Sequence, residues 1–343
     1  MKKKNALLIL FLNLTSLSFA DVPINVELLE VKKIWDDAPH NAFTDLIRFN
    51  KNFYCVFRQG RSHVSTDGKI RVIESKDANS WSSAALIEQE GVDLRDGHLS
   101  ITPDKRLMLI GGYAKRKEDH QHVPTATFVS FSKDARKWSK PKIITKEGNW
   151  LWQVSWFKNN AYGISYKSEK TGLVIDLLKS NDGINFKPHT EKMFTEGSPC
   201  EATVRFIPDG TCYALVRRNA KKPPSSAMLG VSKPDYKKWK WFDLGEEFRV
   251  FGGPNFIQTP SGHWIAAGRM HQGGAHTAIT YLDIKNGTMT KLLKLPSAGD
   301  TSYPGLVCYK NTLYVSYYSS HEKKTSIYLA KLKIHHKTTN AYK

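Results

Sequence analysis

Two residues far apart in the chain, Glu201 and Tyr303, have the chemistry to form an activated nucleophile. Glu201 opens the run EATVRFIP and Tyr303 lies in DTSYPGLV. A neutral phenol attacks poorly because its unperturbed pKa is about 10. A carboxylate beside it can take the proton during the attack, as weak nucleophiles require. The chain holds further side chains for such a centre: Asp45, Arg58, Arg61 and Asp67, then Arg95 and Asp96, Arg217 and Arg218, Asn255 and Arg269, and finally Tyr318 and His321. Carboxyl groups among them could protonate a leaving oxygen. Guanidinium forks match carboxylates on a ligand, and a few directed polar groups with stacking rings are what a carbohydrate site uses. None of this operates unless the fold brings these distant residues to one place.

The elements that could gather them are repeated. SKDANSW at 75–81 recurs as SKDARKW at 132–138, with looser echoes in SNDGINF at 180–186 and SKPDYKKW at 232–239. Self-similarity at a period of about 50 residues signals a repeat architecture. Each echo falls within a passage of four β-rich runs. The first passage reads FTDLIRF, FYCVFRQG, GKIRVIES and WSSAALIEQ, separated by turn residues. Six such passages can be traced. The sixth lacks its fourth run, and NVELLEVKKIW at 25–35 is a spare one. A ring closed by that segment leaves no long edge to pair with other chains. The expected fold is therefore all-β: a six-bladed β-propeller of four-stranded blades over residues 21–333, its last blade completed by the N-terminal strand, with a polar tail at 334–343.

Within each blade, call the strands A to D. The Ser-x-Asp turn joins C to D, its side chains bonding nearby backbone N–H groups and its following aromatic packing between sheets. It repeats because the fold needs it, and it is not catalytic. Antiparallel alternation puts those turns on one face of the disc. The start of A, the end of B and the start of C share the other face, and all the candidate residues above fall there.

Residues 1–20 have a basic start, an apolar stretch and the small-x-small ending Ser18-Phe19-Ala20, the pattern of a secretory signal peptide. A secreted or periplasmic protein is expected, with no membrane span, since no later run reaches 18 apolar residues. Cys55, Cys200, Cys212 and Cys308 read as buried free thiols. The net charge of +19 fits either a lysine-rich solvated surface or attraction to acidic polymers. Nucleic acid is excluded as a partner because the basic residues are scattered and no recognition motif occurs. No cofactor or metal is expected. HQH at 120–122 and His335-His336 lack ligand spacing. A monomer acting on a glycan is the expected form.

Ser-x-Asp-x-x-x-Trp resembles the Asp box of sialidases and related propellers. EATVRFIPDGTCYALVRRN at 201–219 is similar to the sialidase segment in which a Glu opens one inner strand and an Arg ends the next. DTSYPGLV is similar to the segment carrying the sialidase tyrosine. The resemblance implies a sialidase-like exo-glycosidase with Tyr303 as nucleophile and Glu201 as its base, tyrosine replacing the usual second carboxylate. It implies Asp67 as general acid, with Asp45 and Asp96 as competitors. Sialidases hold the substrate carboxylate with three arginines. Arg217 or Arg218 matches the second, and Arg269 stands in for the third. The first belongs to an Arg-Ile-Pro run, where this chain has NAFTDL, so Arg58, Arg61 or Arg95 must substitute if the sugar is acidic. Two other readings fit the same fold: a non-catalytic propeller binding glycan or protein through that face, and a lyase acting on uronate polysaccharides.

Overall fold

The computed structural model describes residues 22–116 and 125–337. The segment read as a signal peptide and the HQH run lie outside the described residues. The chain forms six four-stranded antiparallel sheets arranged as a β-propeller. Blades 1 to 5 each use four consecutive strands. Blade 6 takes Thr301–Tyr309, Thr312–Ser319 and Ser326–His336 and adds the N-terminal strand Ile24–Trp35 as its outermost member. That strand pairs from Ile24 opposite His336 to Trp35 opposite Ile327. Strand C of blade 6 therefore runs three residues into the stretch expected to be a tail, because Ile334, His335 and His336 have partners in Val26, Asn25 and Ile24. All four cysteines are free, and no helix among the described residues is long and apolar enough to cross a membrane.

The Ser-x-Asp turns behave as their sequence requires. Asp77 Oδ1 accepts the N–H groups of Asn79 and Ser80 at 2.8 and 3.0 Å. Asp134 and Asp182 make the same pair of bonds in blades 2 and 3. The residue after each Asp (Ala78, Ala135, Gly183) has positive φ, a left-handed step that the carboxylate bonds hold in place. In blade 2 the ring N–H of Trp138 caps the Ala135 carbonyl at 2.8 Å.

The A strands line the axis and touch one another around the ring. Each contains an irregularity that alternation alone does not foretell. Two residues of A face one residue of B at Phe43-Thr44, Asp96-Gly97, Trp152-Gln153, Cys200-Glu201, Gly253-Pro254 and Tyr303-Pro304. These are β-bulges, which bend a strand and re-aim its side chains. At Phe43, Asp96, Gly253 and Tyr303 the backbone adopts positive φ. Below the bulges, side chains stitch neighbouring A strands together. Thr44 donates to the Tyr303 carbonyl, Asn255 to that of Pro304, Thr203 to that of Pro254, and Arg205 to that of Phe256. Burial lowers the Arg205 pKa to about 10.

Candidate active site

The bulges bring Phe43, Asp96, Trp152, Glu201, Tyr303 and the Gly253 backbone to one end of the axis. Tyr303 and Glu201, separated by about a hundred residues, meet there: Tyr303 Oη donates to Glu201 Oε1 at 2.6 Å. Arg217 Nη1 donates to the same carboxylate oxygen at 2.6 Å and to Tyr303 Oη at 3.1 Å. The Gly253 N–H satisfies Glu201 Oε2 at 2.6 Å. Gly253 has φ 59°, and a Cβ there would lie 2.6 Å from the Tyr303 ring, so glycine is required for that approach.

Burial pushes the Tyr303 hydroxyl well above the usual phenol range, and the Glu201 charge adds to this. Burial would also raise Glu201, but the charge and hydrogen bond of Arg217, with those of Tyr303 and Gly253, hold it below the ordinary carboxylate range. The pair is therefore a neutral phenol bonded to an ionised carboxylate, the starting state for general-base activation. The phenol ring is fixed by Phe43, Trp152 and Tyr318, at centroid distances of 5.2, 5.7 and 6.0 Å, and by the Arg269 guanidinium 5.2 Å from its centroid.

A second cluster centres on Asp300. Its Oδ1 accepts Tyr318 Oη at 2.8 Å and faces Arg269 Nη2 at 3.4 Å. Its Oδ2 lies 2.9 Å from His40 Nε2 and 2.6 Å from His63 Nδ1. Burial is overcome by these partners, and the carboxyl sits far below the ordinary range. His40, His63 and Asp300 have ligand atoms within 4.8 Å of one another, a spacing a metal ion could bridge. A ligating His40 Nε2 would put the proton on Nδ1, and that buried atom has no acceptor. A hydrogen-bonded carboxylate fits these residues better than a metal centre. A third cluster joins Arg95 to Asp96 at 3.1 Å and to Asp93 at 3.5 Å. Burial raises the Asp96 carboxyl. Arg95 pulls against this, the nearby Glu201 charge adds to it, and the net shift is upward.

Tyr303, Glu201, Arg217, Arg269, Tyr318, Arg95 and Asp96 are thus brought together. Arg218 is not, because neighbouring residues of a strand point to opposite faces. Its guanidinium binds Ser226 and Asp243 on the far side of blade 4. Arg58 is fully buried and bonds Asp93, Ser62 and Ser65. Asp67 and Arg61 pair with one another at 3.6 Å on the rim. Burial of Asp67 is outweighed by the Ser65 hydroxyl and the Arg61 N–H, which lower its pKa, the opposite of what a general acid needs. Asp45 holds the Leu46 and Leu99 N–H groups within the axis. Asn255 supports the backbone next to Tyr303 at Pro304. His321 bonds Ser319 and packs on Tyr328. The sequence reading missed Phe43, Gly253 and the convergence on Asp300. The adjacent glycines at 252–253 are the sequence feature that could have pointed to Gly253, since paired glycines suit a close backbone approach.

The chain matches no family model and no curated protein sequence. Its architecture defines it as a six-bladed propeller of the kind found in sialidases and arabinanases. It superposes on a protein of unknown function from Dyadobacter fermentans with a TM-score of 0.79 at 18% identity, covering 91% of this chain and 100% of that one. Penicillium chrysogenum α-L-arabinanase, solved with arabinobiose, gives 0.70 at 14% identity over 88% and 98% of the two chains. Trypanosoma rangeli sialidase, solved with the inhibitor DANA, gives 0.67 at 11% identity, covering 86% of this chain and 55% of that one. At such identities the likeness is one of fold, which carries many activities.

Proposed function

We propose that the protein is an exported glycoside hydrolase that removes a terminal sugar, with Tyr303 as nucleophile and Glu201 as its base. The observation that carries this reading is the short bond from a neutral Tyr303 to an ionised Glu201, held in place by Arg217. As Tyr303 Oη attacks the anomeric carbon, its proton passes to Glu201. The departing glycosidic oxygen takes a proton from Asp96, whose carboxyl is shifted upward by burial, the direction an acid needs. Water then attacks the same carbon and gives a proton to Asp96. Tyr303 leaves and recovers its own proton from Glu201. One glycosidic bond is broken, one water is consumed, and two inversions retain the configuration. Arg217, 3.1 Å from the phenol oxygen, meets the charge that develops there.

The test is turnover of a panel of aryl glycosides, both neutral and acidic, by the parent protein and by Tyr303→Phe. The variant keeps the ring and its packing, so its melting temperature should hold. Turnover should drop by about a thousandfold or more, as when a nucleophile is removed. A fluorinated mechanism-based glycoside should add its mass to Tyr303. A folded Tyr303→Phe with parental activity refutes the assignment. A product absorbing through a new double bond would favour the lyase reading instead.

A further inference from the structure

Every arginine at the mouth of the site already has a carboxylate of the protein. Arg217 is bonded to Glu201, with its other terminal nitrogen on Asn219. Arg95 is committed to Asp96, Asp93 and the His63 carbonyl. Arg58 and Arg116 share Asp93. Arg269 binds the Thr301 carbonyl and Tyr318 and faces Asp300. The place where the sialidase resemblance calls for the first arginine holds Phe43, whose ring packs on Tyr303, Tyr318 and His63. Five arginines thus share four carboxylates, and each guanidinium already has an acceptor of the protein.

Asp300 goes further than pairing. Its two oxygens receive a hydroxyl, a guanidinium and two imidazoles. Four donors from three blades fill the roughly four lone-pair sites of a carboxylate. This is the arrangement by which a site grips a substrate carboxylate, and the protein's own carboxylate occupies it. A second carboxylate brought here would meet Asp300 and Glu201 as like charges in a poorly solvated space. It could reach Arg269 only by displacing a group covalently held beside it.

We propose that the sugar bound at Tyr303 is neutral, and that Asp300 sets this selectivity by occupying the position that would hold a carboxylate. Sialosides and uronides are then excluded, and the class accepted is that of neutral glycosides, pentosides included. The inference rests on the Tyr303 cluster being a sugar site, but not on its being catalytic.

The experiment measures binding to the full protein, by calorimetry or saturation-transfer NMR, of matched methyl glycosides: galactoside against galacturonide and glucoside against glucuronide. Methyl arabinofuranoside and a methyl sialoside are tested alongside. At least one neutral glycoside should bind. Its uronate counterpart should bind about tenfold more weakly or worse, as expected of like charges in a partly buried site, and the sialoside should not bind. Asp300→Asn keeps the shape and removes the charge, so it should narrow the gap between the members of a pair. Equal or tighter binding of a uronide or the sialoside overturns the proposal, as does failure of every neutral sugar to bind. A folded Asp300→Asn with an unchanged gap removes Asp300 as the determinant and overturns it too. Binding of neutral sugars without hydrolysis would sink the hydrolase reading and leave this inference standing, whereas hydrolysis of a sialoside would do the reverse.

Discussion

Replacing Glu201 by Gln separates the role proposed for it as base from its part in the scaffold. The carboxylate accepts on both oxygens: Tyr303 and Arg217 on one, the Gly253 N–H on the other. An amide of the same shape offers a single acceptor. Turned toward Arg217 it points N–H at N–H against Gly253, and turned the other way it faces two donors. In either pose the buried Arg217 loses its counter-charge. Breaking a buried ion pair costs about 3–5 kcal/mol, a sizeable part of the roughly 5–15 kcal/mol that holds a protein folded. The melting temperature should drop by roughly 10 °C while the ring stays closed. Turnover should fall by about 10²–10⁴, the usual contribution of a general base. The pH dependence supplies a sign check. Glu201 has a folded pKa below its unfolded one, so its stabilising effect is complete above the ordinary carboxylate range and is lost as pH falls through the folded value. The stability gap between parent and variant, measured by urea titration, should therefore be constant near neutrality and shrink in strong acid. A folded variant within threefold of parental turnover would refute the base assignment, and a gap that widens in acid would refute the electrostatics.

Deleting residues 22–35 should unfold the ring. The strand buries Ile24, Val26 and Ile34, worth roughly 5–9 kcal/mol at about 1.5–3 per side chain, and its loss exposes the whole edge of Ser326–His336. An unchanged melting temperature in the truncated protein would show that closure does not stabilise the ring. Gly253→Ala should force the Tyr303 ring aside and strain a residue at φ 59°, lowering turnover far more than ligand binding. Parental kinetics in that variant would mean that the ring has room to yield.

Strands and turns were legible because alternation and turn chemistry can be read within a few residues of sequence. Closure, which pairs Ile24–Trp35 with the far end of the chain, was legible only by tracing all six passages and finding the last one run short. The Asp77 and Asp134 turns owe their geometry to neighbours two and three positions on. The pairing of Glu201 with Tyr303 was legible only as chemistry joined to a family resemblance. What selects Arg217 over Arg218 is strand parity at the Cys200-Glu201 bulge, and a bulge is a property of pairing between strands, without a signature of its own in a single strand. Asp300 stands in the sequence only as the first residue of DTSYPGLV. Its four partners come from three blades, and nothing in the chain order announces that they converge.

The choice of Asp96 over Asp67 as the acid can be decided by leaving groups. Both are carboxyls on the front face, but their surroundings differ in sign. Burial and the Glu201 charge raise Asp96 despite Arg95, whereas Asp67 is lowered by donors on an accessible rim. An acid must hold its proton at the working pH, so activity should decline as pH rises through the Asp96 value, giving the alkaline limb of the profile. Asp96→Asn cannot donate that proton. An alkyl glycoside, whose leaving oxygen needs one, should lose about 10²–10⁴ in turnover. A dinitrophenyl glycoside of the same sugar, whose phenolate departs unaided, should lose little in the glycosylation step, and its alkaline limb should flatten. Asp67→Asn should leave both substrates and the limb unchanged. If Asp67→Asn instead separates the two leaving groups, the proton comes from the rim, and Asp96 is a buried partner of Arg95 with no part in the chemistry.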